Sequence, residues 1–160
     1  MRYNRDEPTE SNRHQAAHAA LTIDSHRRLL GCDLLSPHGN PDQLARALYA
    51  APFVVLAHDT ASDPVFIYAN LRAQQLFEMT WDQMVTLPSR HSAEPVAQSE
   101  RQRLLDRVAR QGFIDDYTGV RISRTGKRFL IERATVWNLV DTTGHVLGQA
   151  AAFDHWTPLA

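Results

Sequence analysis

Eight histidines, a single cysteine and sixteen arginines against one lysine define the chemistry to be weighed in this sequence. His14 and His18 stand four residues apart, so a helix places them on one face, with His26 two turns beyond His18. That spacing suits a divalent metal. No Glu lies between the histidines as a zinc protease requires, and no acidic third ligand follows within a turn, so a solvated helix face is the competing reading. Asp24-Ser25-His26 has the residue types of a hydrolytic triad, but neighbours on one helix cannot present triad geometry and no nucleophile elbow accompanies them. Asp115 and Asp116, adjacent on a strand, point to opposite faces and cannot act as an acid/base pair. The seven glycines form no phosphate-cradling loop. The Arg-rich stretch 101–110 is broken by Asp106 and preceded by Glu100, with no aromatic residues interleaved. It reads as an ordinary solvated helix face, not a nucleic-acid contact.

The elements that would position such residues follow from caps, breakers and periodicity. Residues 1–12 have little to bury and read as a frayed terminus. Ser11 or Asn12 caps a helix running to about Leu30 and stopped by Gly31, its apolar face formed by Ala16, Ala17, Ala20, Leu21, Ile23 and Leu30. Pro37, Gly39 and Asn40 mark a loop. Asn40-Pro41-Asp42 then starts a second helix carrying Leu44, Leu48 and Tyr49, which ends near Pro52. The runs 53–57 and 65–69 are apolar and rich in strand formers, and their short connection predicts an antiparallel pair. Asn70 caps a helix with Leu71, Leu76 and Phe77, and Thr80-Trp81-Asp82 starts a short one that ends before Pro88. After a polar linker, residues 95–110 form an amphipathic helix with Val96, Leu104, Leu105 and Val108 on one side, stopped by Gly112. Strands are predicted over 113–123, 128–140 and 146–153, joined by turns at 124–127 and 141–144. Five antiparallel strands with helices segregated to one side make an α+β domain.

Composition narrows the function classes. The chain has 160 residues, 43% apolar and 22% charged, with a formal net charge of −1. That is one domain with a sizeable core and no global pull towards nucleic acid or anionic lipid. Cys32 alone excludes an intramolecular disulfide framework and any Cys-rich zinc module. No run approaches the roughly eighteen apolar residues of a membrane span, and the first ten residues lack a signal-peptide core. A soluble cytoplasmic protein is expected. The organisation predicted is a tail and helix over 1–39 and a domain over 40–160.

The turn at 124–127 sets which strand residues meet. With Gly126 and Lys127 as the central pair of a type II′ turn, Ser123 pairs Leu130 and Arg121 pairs Glu132. Arg121 and Glu132 then share a face with Ala134, Val136 and Asn138. The other face carries Val120, Ile122, Ile131, Arg133, Thr135 and Trp137. Left bare, Ile122, Ile131 and Trp137 would form an apolar patch that either the N-terminal helices or a second subunit must cover.

The order of strands and helices, with an Asn-started helix after the second strand, resembles the PAS superfamily: a five-stranded antiparallel sheet folded over helices around a small pocket. The closer resemblance is to the MEKHLA family. It is carried by Val120-Arg121-Ile122-Ser123, Gly126, Glu132-Arg133-Ala134, Trp137 and the ending Phe153-Asp154-His155-Trp156. Ala51-Pro52-Phe53-Val54-Val55-Leu56 and the segment from Leu87-Pro88-Ser89-Arg90 to Gly112-Phe113-Ile114 share it. The likeness spans about 40–156. In flavin-binding light sensors of the PAS superfamily the corresponding hairpin positions carry cofactor-contacting amides, so the resemblance turns Arg121 and Glu132 towards the pocket. It adds Phe77, Met79, Trp81, Met84 and Phe153 to the lining, and Ile122, Ile131 and Trp137 to a possible dimer face. Flavin adduct chemistry is not expected, because Cys32 lies in the N-terminal extension. Haem is not expected either, because His91, the one histidine on the helical side, sits in a loop and His58 faces a turn. The resident cofactor, if there is one, stays unknown.

Three functions remain open. One is a stand-alone sensory or protein-interaction module that takes a small organic ligand and signals in trans. The second is a small metal-independent enzyme with Glu132 as base and Arg121 as anion anchor. The third is a purely structural homodimer.

Overall fold

Asn40, Asn70 and Thr80 each place a side-chain oxygen on a backbone N–H of the first helical turn. The computed structural model describes residues 5–36, 38–94 and 98–160; Pro37, Pro95 and Val96 lie outside them. The helices are α1 (Ala16–Leu30), α2 (Pro41–Tyr49), α3 (Leu71–Phe77), α4 (Trp81–Met84) and α5 (Gln98–Gln111). The strands are β1 (Val54–His58), β2 (Phe66–Ala69), β3 (Phe113–Ile122), β4 (Arg128–Val140), β5 (Val146–Phe153) and β6 (His155–Pro158). They form one antiparallel sheet in the order β2-β1-β5-β4-β3. β6 continues β5 beyond Asp154 and pairs the far end of β4. This sixth strand was expected only as a chain ending.

Strand alternation divides the sheet into two faces. Val55, Ala57, Trp137, Leu139, Ala150 and Ala152 pack under α1 and α2. Val54, Phe153, Ala134 and Val136 face the side of α3 and α5. The face with Trp137 is therefore covered by the chain's own N-terminal helices. Trp137 is fully buried and donates from Nε1 to the Thr22 carbonyl at 3.2 Å.

α1 docks on a stripe that its apolar periodicity does not show. Its buried residues are Ala16, Ala19, Thr22, Ile23, Ser25 and His26, whereas Ala17 is exposed. Small and polar side chains let the helix come close, and their polar atoms find partners. Ser25 Oγ bonds both the N–H and the carbonyl of Val140, at 2.8 and 3.2 Å, and His26 Nδ1 lies 3.0 Å from the Cys32 carbonyl. The terminus is also tied down from residue 5 rather than frayed. The Arg5 carbonyl accepts from Trp81 Nε1 at 2.8 Å, and Arg5 pairs with Asp59 at 3.0 Å. Ser11 and Asn12 cap no helix: they lie inside a 3-10 turn (Glu10–Asn12) whose cap position is Thr9. Arg13, His14 and Gln15 then run left-handed before α1 begins, so His14 and His18 share no helix face.

The packing of α1 makes the fold sensitive to acid. Burial holds His18, beside the Tyr68 ring, down to about 4. Burial also lowers His26 and, at the end of β1, His58. The unfolded chain takes up these protons near pH 6.5, so native stability is fully present above that value and drains away as pH falls towards 4. His18 alone accounts for up to about 3 kcal/mol of that loss. Urea midpoints measured between pH 7.5 and 4.5 should fall steeply, and His18→Phe should flatten most of the slope. A midpoint independent of pH in this window contradicts the assignment.

Candidate functional site

The two long strands that build the site are out of simple phase with one another, for two reasons. The hairpin loop has three residues, Arg124, Thr125 and Gly126. Ser123 N–H donates to the Lys127 carbonyl at 2.9 Å, and Gly126 takes φ +90°. Arg121 therefore pairs Phe129, and the predicted Arg121–Glu132 pairing does not form. Further along β4, Arg133 sits left-handed at φ +54° and inserts an extra residue opposite β3. This bulge re-phases the strand, so Ile131 and Ala134 face the same way. Glu132 is turned to the opposite face, across from His155 of β6.

Between that sheet face and α3 and α5 lies a hollow of about 70 Å³. One enclosed water needs roughly 10–15 Å³ on the same measure, so there is room for one small molecule. Its walls are apolar: Leu56 of β1, Phe66 of β2, Phe77 of α3, Leu104 of α5, Ile131 of β4 and Phe153 of β5. Polar side chains converge at one end. Arg121 comes from β3 and Arg101 from the first turn of α5, and both are buried, at 9% and 8% exposure. Arg101 Nη2 donates to Ser89 Oγ, in the 3-10 turn Ser89–Ser92. Arg121 Nη1 donates to the Val120 carbonyl at 2.9 Å, and its guanidinium lies over the Tyr117 ring, 5.2 Å from the centroid. Tyr117 Oη is buried with no hydrogen-bond partner in the structure. Gly119 makes room for that ring, since a Cβ there would collide with the hydroxyl. His58 lines the hollow and bonds the Asp59 carbonyl through Nδ1 at 2.8 Å. Burial lowers its pKa, and Arg101 lowers it further.

Of the residues expected to line the pocket, Phe77, Arg121 and Phe153 do so. Trp81 and Met84 do not, because α4 packs beyond β2. Trp81 stacks edge-on with Tyr68 and Tyr49, and Met84 is enclosed with Phe66 and Phe77. Met79 opens onto a separate shallow cleft beside Trp81 and Gln74. Glu132 is on the wrong face, so no base stands opposite Arg121 from that position. Of the expected dimer residues, Ile131 faces the hollow, Trp137 lies under α1 and Ile122 is half-buried. Arg101, Tyr117 and His58 were not expected in the lining. Arg101 was assigned to a solvated helix face, yet it shares the buried side of α5 with Leu104 and Val108, at i+3 and i+7.

Cys32 is exposed after α1, and His91 is exposed in the 3-10 turn. Among the described residues no three His, Cys, Asp or Glu side chains cluster as a metal site, and no helix is long and apolar enough to cross a membrane.

Solved structures share this architecture. The PAS domain of a protein from Colwellia psychrerythraea superposes with a TM-score of 0.61 at 14% identity, over 73% of this chain and 94% of that one. A light-oxygen-voltage domain studied with a flavin analogue gives 0.58 at 15% identity, over 74% and 85%. An RNA-binding light-oxygen-voltage receptor gives 0.62 at 17% identity, over 74% of this chain and 34% of the receptor. At these identities the likeness shows the fold. No curated protein matches the sequence. The MEKHLA domain model matches residues 16–158, so α1, expected to belong to an extension, lies inside the matched span. The chain belongs to the MEKHLA family, and its domain has a PAS-like fold.

Proposed function

We propose that this domain is a sensory module which takes a small organic ligand into the hollow and passes the change in α5 to a partner in trans. The observation that carries the reading is the hollow itself: apolar walls from five strands and two helices, with polar side chains gathered at one end. α5 closes one side of it and lies outside the hydrogen-bonded strand ladder, so a ligand touching Leu104 and Arg101 bears on a displaceable wall. An enzyme using Arg121 and Glu132 lacks its base, and a dimer formed through Trp137 lacks its exposed face.

The test is a panel of small organic compounds, charged and neutral, scored by thermal melting. It is repeated on Ala151→Leu, which fills the hollow from β5. Members of the panel should raise the melting temperature of the parent protein, slow amide exchange in α5, and do neither in the filled variant. A panel with no effect on the parent, or an equal effect on the filled variant, defeats the receptor reading.

A further inference from the structure

Two buried arginines lining one hollow are an unusual thing for a fold to keep. A guanidinium has five N–H donors and stays charged in any protein environment, so burial without a carboxylate is costly. Among the described residues neither Arg101 nor Arg121 has an ion-pair partner. Each makes one hydrogen bond that the structure shows, to a hydroxyl and to a carbonyl respectively. Their charges repel one another: Arg121 helps to hold the pKa of Arg101 below its ordinary value, after burial itself. The carboxylate that acts on Arg101 from a distance, Asp63, is exposed and paired with Arg90 at 3.1 Å. Beside the two guanidinia stands the Tyr117 hydroxyl, buried and without an acceptor. Three donor groups from β3 and α5 thus face one end of a cavity whose remaining walls are hydrocarbon.

We propose that Arg101 and Arg121 form the anion end of this hollow, with Tyr117 as a third donor, and that the ligand is a small organic carboxylate with an apolar body. The proposal rests on the receptor reading above and deepens it. A carboxylate presents two oxygens that accept from two guanidinia and a phenol at once. The apolar body separates this ligand from an inorganic anion, because Leu56, Phe66, Phe77 and Phe153 offer nothing to a hydrated phosphate. Seating the anion supplies the missing counter-charge between β3 and α5, so α5 is drawn onto the sheet when the ligand is bound.

The test uses the full chain and four probes: benzoate, phenylacetate, isovalerate and inorganic phosphate, with benzamide, phenylacetamide and isovaleramide as neutral counterparts. Binding is read by calorimetry and thermal melting. At least one carboxylate should bind and, at about a hundredfold over its dissociation constant, raise the melting temperature by about 5–10 °C. Its amide should bind at least tenfold more weakly. Arg101→Met and Arg121→Met keep the side-chain volume and remove the unpaired charge, so both variants should fold at least as stably as the parent. Each should lose carboxylate affinity by tenfold or more, and Tyr117→Phe by about tenfold. Amides binding as tightly as the acids, or arginine variants that keep full affinity, overturn the anion end and leave the receptor reading standing. Phosphate binding as tightly as the carboxylates overturns the organic ligand. No binding by any probe, charged or neutral, overturns both.

Discussion

Asn70→Ala should cost roughly 3–5 kcal/mol of folding stability, a large part of what a domain of this size possesses. The side chain is fully buried and all four of its hydrogen-bonding positions are used. Oδ1 accepts from Val55 N–H at 3.1 Å and from Ala73 N–H at 3.0 Å. Nδ2 donates to the carbonyls of Leu48 at 3.2 Å and Phe53 at 2.8 Å. One amide therefore ties β1 to the start of α3 and both to the end of α2. Alanine would strip the cap from α3 and leave Val55 N–H and the Phe53 carbonyl buried without partners, each at a cost of about 1–3 kcal/mol before relaxation, while the Leu48 carbonyl keeps Ala51 N–H. Asn70→Asp keeps both acceptor roles but loses both donations and buries a charge, so it should be no better. Trp81 and Trp137 are buried, which makes intrinsic fluorescence in urea the natural readout. A loss below about 1 kcal/mol for Asn70→Ala would show that the junction relaxes around the gap. Because Leu56 and His58 of β1 line the hollow, loosening this junction should also weaken any ligand held there.

Half of that amide was visible in the sequence. An asparagine before Leu71 reads as a helix cap because caps are local, and the starts at Asn40 and Thr80 were legible for the same reason. The donations to Leu48 and Phe53 depend on chain segments twenty-two and seventeen residues away, which no local pattern encodes. The strands behaved alike. The limits 128–140 and 146–153 follow from β-branched and aromatic runs bounded by turn residues, and they stand as read. The facing of individual residues stood only in part. Ala134 and Val136 face the hollow as alternation from the turn predicts, whereas Ile131 and Glu132 are exchanged. The exchange begins at the turn, whose three-residue loop shifts β4 by an odd number of places against β3, and the left-handed Arg133 that follows Glu132 restores the phase for Ala134 and Val136; an arginine there does not announce a bulge as a glycine would.

The arginines show the same limit from the functional side. Arg121 was placed in the pocket through the wrong partner. It faces inward whichever residue stands across from it, because its own strand carries no bulge between Gly119 and Ile122. Arg101 was missed because residue type outweighed position. In an arginine-rich helix, one member at i−3 from Leu104 and i−7 from Val108 lies on the apolar stripe, and periodicity alone marks it. A charged residue on the buried stripe of an otherwise ordinary amphipathic helix is thus the sequence signal for this kind of site.

Trp137→Ala should be comparably severe, at about 3–5 kcal/mol, and should act first on α1. The indole is fully buried, pairs across to Ala150 of β5, and meets His26 edge-on with ring centroids 4.9 Å apart. It fills the space that the small residues of α1 leave, so its removal opens a cavity under the helix and leaves the Thr22 carbonyl without the indole N–H. Trp137→Phe keeps most of the contact and loses that hydrogen bond, at about 1–2 kcal/mol. The expected order in urea is parent, then Trp137→Phe, then Trp137→Ala, with amide exchange across residues 16–30 rising before that of β4. Light scattering on the same samples separates the roles: if the tryptophan served a dimer face, the alanine variant would change assembly while keeping its urea midpoint. With α1 as the cover, the midpoint falls instead, and Arg121, on the opposite face of the sheet, keeps its place until the whole domain unfolds.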